Sequence, residues 1–219
     1  MRIRRKKWVR GELFECDFFV DNPLENIGVW HEQFKRKQPI FLELGCGKGS
    51  FISKLAALNQ NINFIALDIK SEMLGLAKRN IEKEFALKNL QVDNVLLSAF
   101  DINRISMIFN QNDLVDRIYI NFCNPWPRKK HKKRRLTHVR QLIQYRNFLK
   151  PNGEIFFKTD DDLLFEESID YFNQTGFKIT SLTYDLLDAN LKSNIVTEHE
   201  KMFMDEGLKI KFLIAKKID

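Results

Sequence analysis

Pro39-Ile40-Phe41-Leu42-Glu43-Leu44-Gly45-Cys46-Gly47-Lys48-Gly49 decides how the chain is read: a short apolar strand runs straight into alternating glycines. Behind the glycines Phe51, Leu55 and Leu58 fall on one helical stripe, so the order is strand, glycine-rich turn, helix. Asn63 to Ile69 supplies the next strand, ending in Asp68. Ser71 is placed to cap a helix that repeats Leu74, Ala77, Ile81 and Phe85 on one face. This is a βαβ unit.

Downstream the alternation continues. Val92 to Ala99 reads as a strand with Asp101 just past its end, Ile102 to Phe109 as a short helix, and Val115 to Phe122 as a further strand. Thr137 is the expected cap of a helix carrying Val139, Leu142, Ile143 and Leu149, closed by Pro151-Asn152-Gly153. Glu154 to Thr159 follows as a strand. Asp160-Asp161-Asp162 then opens a helix with Phe165, Ile169 and Phe172 that stops at Gly176, and acids at a helix start suit its dipole. Phe177 to Tyr184 and Lys209 to Lys216 are the last strands, and the segment between them, Asp185 to Leu208, reads as too polar for core. Upstream, Leu24 to Lys37 places Ile27, Trp30 and Phe34 at helical spacing. The expected fold class is α/β, a mostly parallel sheet finishing in an antiparallel pair. One domain, 1–219, with a basic N-terminal arm over about residues 1–20, is the economical reading.

At 219 residues the chain is long enough to bury roughly 70% of its unfolded surface. Apolar residues make up 44% and aromatics 12%, which excludes a disordered chain, and no apolar run approaches the ~20 residues of a membrane span. Met1 leads into Arg2, Arg4, Arg5, Lys6 and Lys7 with no apolar stretch behind them, so no secretory signal is read and the expected compartment is the cytoplasm. Cys16, Cys46 and Cys123 fit neither a paired framework nor a zinc site, and no metal is expected. Net charge is +7, and Arg128 to Arg135 alone holds seven Lys and Arg and no acid. The basicity is local, as in a surface patch for a polyanion.

The chemistry follows from where the acids fall. A glycine-rich turn lets a ligand approach the backbone, and an acid at the end of the second strand accepts both hydroxyls of a ribose. Gly45, Gly47, Glu43 and Asp68 meet that demand, and Asp101 is placed to accept from an adenine amino group. The third glycine of a dinucleotide site is Ser50 here, and Glu43 would repel a diphosphate while welcoming an ammonium group. Together these favour S-adenosylmethionine. After the fourth strand Asn124-Pro125-Trp126 offers an amide to a base edge and an indole to a base face, and the adjoining Arg128 to Arg135 would neutralise phosphates.

Glu43-Leu44-Gly45-Cys46-Gly47-Lys48-Gly49, Asn121-Phe122-Cys123-Asn124-Pro125-Trp126-Pro127-Arg128 with His131-Lys132-Lys133-Arg134-Arg135-Leu136, Phe157-Lys158-Thr159-Asp160 and Thr197-Glu198-His199-Glu200 together resemble the bacterial tRNA guanine-N7 methyltransferase family. The resemblance covers nearly the whole chain. It implies a Rossmann-like class I methyltransferase fold, a seven-stranded sheet of order 3-2-1-4-5-7-6 with helices on both faces, and action on the variable-loop guanosine of tRNA. Glu43, Asp68 and Asp101 would hold the cofactor, with Gly45 and Gly47 in the turn. Asn124 would lie between cofactor and target base as the catalytic position. Arg128, Asp160, Thr197, Glu198, His199 and Glu200 would correspond to substrate-contacting positions.

One departure matters. Many members carry Asp-Pro-Trp where this chain has Asn124-Pro125-Trp126, and that Asp is usually given the catalytic role. Guanine N7 already bears a lone pair, so Asn124 is expected to orient the base while a nearby acid, Asp160 or Glu200, supplies negative charge. Two other readings compete: an exocyclic-amine methyltransferase, whose Asn-Pro-Pro-aromatic motif Asn124-Pro125-Trp126 resembles, and a non-catalytic basic RNA-binding domain. Whether the protein is a monomer or a homodimer is not written in the sequence.

Overall fold

The computed structural model describes residues 8–189 and 194–218, and the chain divides into two compact units, Met1–Asp113 and Leu114–Asp219. In the first unit the elements are α1 (Trp8–Phe14), β1 (Phe19–Val20), β2 (Ile40–Leu44), α2 (Ser50–Leu58), β3 (Asn63–Asp68), α3 (Ser71–Leu87) and β4 (Val95–Ala99). The strands are parallel in the order β1-β4-β3-β2. Their apolar runs are nearly unbroken because parallel strands are covered on both faces, and Leu42, Leu44, Phe64, Ile65, Leu67 and Leu97 have no exposed surface.

Helix α1 gives the described part of the N-terminal arm a structural role. Val9 and Trp8 close over Gly75 of α3, where an added Cβ would sit 2.9 Å from Val9, and Arg79 pairs with Glu12 while its guanidinium lies 3.7 Å from the Trp8 ring centre. Phe18 is buried, but Phe14 is 88% exposed. Arg2, Arg4, Arg5, Lys6 and Lys7 lie outside the described residues.

No α-helix forms over 24–37. Two 3-10 turns, Pro23–Asn26 and Trp30–Gln33, stand there instead, broken at Gly28 with φ +82°. Tertiary bonds override the helical spacing. Buried Asp113 accepts from the amides of Gly28 at 3.0 Å, Trp30 at 3.3 Å and Asn110 at 2.7 Å, and the Trp30 indole donates to the Ile108 carbonyl at 2.6 Å. Ile102–Met107 is likewise 3-10, capped by Asp101.

The second unit comprises β5 (Val115–Asn121), α4 (Val139–Phe148), β6 (Leu149–Thr159), α5 (Asp162–Gln174), β7 (Phe177–Thr183), α6 (Glu198–Asp205) and β8 (Lys211–Lys217). Strand β5 runs parallel to β6, and β8 lies antiparallel between β6 and β7. The order β5-β6-β8-β7 matches the expected 4-5-7-6, as β4-β3-β2 matches 3-2-1. Eight strands, against seven expected, are present among the described residues, the addition being the two-residue β1 beside β4.

Three local expectations are corrected here. Helix α4 is capped by His138, whose side chain accepts from the Arg140 amide, while Thr137 is buried against Ser168 at 2.6 Å. Pro151-Asn152-Gly153 falls inside β6 as an irregularity and does not close the helix. Between β7 and β8 there is a helix, α6, and the segment is not wholly excluded from core: Leu186, 3% exposed, packs with Ile210 and Phe212.

Candidate active site

In the first unit the glycine turn and three acids sit at the C-terminal ends of successive paired strands. The register Leu44↔Leu67 and Asp68↔Ala99 brings those ends level. Gly45 and Cys46 both donate their amides to the Leu67 carbonyl, at 2.8 and 3.0 Å, which folds the chain back over β3. Asp68 then fixes the turn: Oδ2 accepts from Gly47 N and Oδ1 from Lys70 N, each at 2.9 Å. A carboxylate has about four acceptor positions, so these two bonds leave it capacity to accept further hydrogen bonds. Ser71 is the first helical residue and makes no capping bond.

Glu43 is 2% exposed, and Asp101 Oδ1 accepts from Asn103 N at 3.0 Å and Asn103 Nδ2 at 2.9 Å. Cys46 fills the turn. Burial, reinforced by Glu43 and Asp68, pushes its thiol well up, so it remains protonated.

In the second unit the Asn124 turn leaves the end of β5 through an unusual backbone. Phe122 and Trp126 both adopt positive φ, +51° and +43°, on either side of Cys123-Asn124-Pro125. Non-glycine residues in that region are strained and need outside support. The Trp126 amide donates to Asn124 Oδ1 at 3.0 Å, an Asx turn, so the Asn124 carbonyl is partly used by its own loop. Over the Trp126 ring lies the Arg134 guanidinium at 5.1 Å, with His131 at 5.8 Å. Burial pushes the Cys123 thiol up to about 12, which leaves it a space-filling group.

Residues 197–200 reach the same region of this unit. Thr197 and Glu200 form a capping box for α6, Glu200 N donating to Thr197 Oγ1 at 2.9 Å. Glu200 is 2% exposed and pairs with Lys158 of β6 at 3.1 Å, while its other oxygen accepts from Asn194 at 2.6 Å. Exposed His199 stacks at 6.0 Å on Phe122, two residues before Asn124. The Glu198 side chain lies outside the description. Asp160 lends its carbonyl to Lys211 at 2.9 Å, and Asp161, not Asp160, caps α5 by accepting from Leu164 N at 2.6 Å. Arg128 is exposed.

Three participants were missed in the sequence reading. Lys158 reads only as part of a strand motif and Lys132 as one of the cations that would neutralise phosphates, while nothing in the pattern singles out Glu167. The capping-box spacing Thr197-x-x-Glu200 was the available signal for α6.

Residues 37–213 match a family described as "Putative methyltransferase". Among solved structures the chain resembles an antibiotic-related methyltransferase (TM-score 0.59, 17% identity, 99% of this chain and 96% of that one) and the 16S rRNA methyltransferase KamB (TM-score 0.59, 14% identity, 83% and 89%). The fold is therefore that of the Rossmann-like α/β methyltransferases. Relatives named tRNA (guanine-N(7)-)-methyltransferase are much nearer in sequence. That of Clostridium botulinum strain Eklund 17B is 60% identical over the full length of both chains, that of Clostridium beijerinckii 61% over 99% of both, and that of Clostridium acetobutylicum 46% over 99% of both. The chain belongs to the tRNA (guanine-N(7)-)-methyltransferase family.

Proposed function

We propose that the chain transfers the methyl group of S-adenosylmethionine to N7 of a guanosine in the variable loop of tRNA. The observation that carries this reading is the level placement of Glu43, Asp68 and Asp101 at the ends of β2, β3 and β4 around a glycine turn. The donor set suits the cofactor: Glu43 for its ammonium group, the remaining acceptor positions of Asp68 for its ribose, and Asp101 for its adenine amino group. When bound, S-adenosylmethionine supplies an electrophilic methyl on a positively charged sulfur.

Guanine N7 attacks with its own lone pair. Because that lone pair would accept the methyl group directly, no residue of the chain has to remove a proton from the base. The protein therefore has to align the base and stabilise the cationic 7-methylguanine. Asn124, exposed at the tip of its turn, orients the base. Asp160 supplies the negative charge, because Glu200 is already engaged by Lys158. The indole of Trp126 offers a face to a base, and Arg128, Lys129, Lys130, Lys133 and Arg134, all exposed, face the tRNA backbone. Thr197 and Glu200 act by building the α6 terminus, which presents His199 beside Phe122.

An exocyclic-amine methyltransferase would use the Asn carbonyl to hold an amine. The Trp126 amide already on Asn124 Oδ1 counts against that role. The same reading makes the chain a single functional domain working in the cytoplasm; no helix among the described residues is long and apolar enough to cross a membrane. The test is transfer of label from S-adenosylmethionine to unmodified tRNA, followed by digestion to nucleosides. Label in 7-methylguanosine is expected, and label in a methylated amino group would overturn the reading.

A further inference from the structure

The cations from Arg128 to Arg135 do not form one uniform patch. Arg128, Lys129, Lys130, Lys133 and Arg134 are exposed, whereas Arg135 is 0% exposed. Its Nε donates to the Pro125 carbonyl at 2.7 Å, and its Nη1 is paired with Glu167 of α5. Lys132 takes the other oxygen of the same carboxylate. Burial alone would raise the Glu167 carboxyl, but the hydrogen bonds and charges of Lys132 and Arg135 outweigh it and hold the group below its ordinary range.

A fully buried guanidinium has lost its hydration, a cost its partners must offset, and it cannot reach a phosphate. Its contacts point inward, to the one carbonyl between Asn124 and Trp126. Those two residues define the Asx turn, and Phe122 and Trp126 on either side of it hold positive φ. A guanidinium can grip the carbonyl and the carboxylate at once because its donors are fixed in a planar fork, which an ammonium group lacks.

We propose that Arg135, together with Glu167 and Lys132, is a brace that holds the Asn124-Pro125-Trp126 turn in its strained form, making Arg135 a positioning residue for Asn124. The basic segment thus divides into five outward cations for the nucleic acid and two inward ones for the loop. The kinetic part of this inference rests on the proposed methyl transfer, but its structural part does not.

The test compares wild type with Arg135→Lys and with Glu167→Gln, which keeps its volume if the arginine variant folds poorly. Amide exchange of the full chain without substrate reads the Trp126 N–H. Its exchange should quicken about ten-fold or more while the amides of β5 and β6 keep their protection. With tRNA, kcat should fall about ten-fold or more, and KM for tRNA and the salt dependence of binding should stay as in wild type. Unchanged Trp126 protection overturns the brace whatever the kinetics. Lost protection with unchanged kcat overturns the positioning role. In Arg135→Gln, which removes the charge, intact kcat with weaker tRNA binding and a salt slope shallower by about 1 would make Arg135 a phosphate contact instead. Should wild type label no guanosine, the function reading fails, and the exchange experiment still decides the brace.

Discussion

At Gly49 the backbone holds φ +71°, and a Cβ there would lie 2.7 Å from the Ala77 Cβ and 2.9 Å from the Ala77 Cα on α3. Gly47, two residues earlier, also has positive φ, +54°, but nothing lies within 4 Å of its Cβ position. The two glycines of one motif therefore do different things. Gly49→Ala combines a left-handed alanine with a backbone clash and should cost about 2–5 kcal/mol, seen as a large fall in the denaturation midpoint. Gly47→Ala should cost only about 1–2 kcal/mol in stability and, under the proposed function, instead weaken S-adenosylmethionine binding in calorimetry, because that reading brings the cofactor against the turn's backbone. At Asn124 the side chain is a loop acceptor and, in the proposed function, the catalytic position. Asn124→Asp keeps the acceptor for Trp126 N and should keep turnover within about three-fold, whereas Asn124→Ala removes it and should lower kcat about ten-fold or more. A large gain in Asn124→Asp would mean that asparagine is a handicap and that the natural substrate differs.

At the scale of elements, α4 shows a helix whose start depends on pH. His138 Nδ1 accepts from the Arg140 amide, and Lys133, Arg135 and Arg140 stand near the ring, with Tyr171 of α5 packed on it at 5.2 Å. Burial first, and those three cations after it, lower its pKa from the ordinary value. The unfolded chain therefore binds more protons at His138 than the folded chain does between the folded pKa and about 6.5. The stabilising contribution of this cap is present above about pH 6.5 and is lost as pH falls through the folded pKa. His138→Asn supplies an acceptor that does not titrate, so its melting temperature should vary less than that of wild type between about pH 7.5 and about pH 5.5. Equal pH dependence in the two proteins would remove His138 from the account.

The same helix shows why some elements were legible in the sequence and others were not. The short, largely apolar runs Ile40–Leu44, Asn63–Asp68 and Val115–Asn121 read as buried strands because glycine turns and helical patterns alternate with them, and the glycines and acids at their ends followed by position. The cap of α4 was misplaced by one residue because Thr137, a better capping residue by type, is drawn inward to Ser168. The 24–37 segment kept its helical spacing but lost its helix to Asp113, a partner more than eighty positions away from the backbone amides it holds. Helix α6 was hidden because its stabilising bonds are polar, the capping box and the Lys158–Glu200 pair, where apolar periodicity was the signal sought.

Across the whole molecule the net charge is +7, and because Arg128 to Arg135 contributes seven cations and no acid, the remaining residues balance. Within this segment burial decides how much of its attraction to a polyanion is usable. Lys132 and Arg135 are committed to Glu167, which leaves five exposed cations. Five phosphate contacts give a slope of log K against log salt of about −3.5 to −4.5, depending on strandedness. Replacing Lys129 and Lys130 together by Gln should shorten the slope by about 1.4 to 1.8, with kcat at saturating tRNA unchanged. Lys132→Gln should leave the slope where it was, because its ammonium group is already neutralised by a carboxylate. Binding titrations over a series of salt concentrations distinguish this division from a uniform patch, in which removing any one of the seven cations shortens the slope by the same amount.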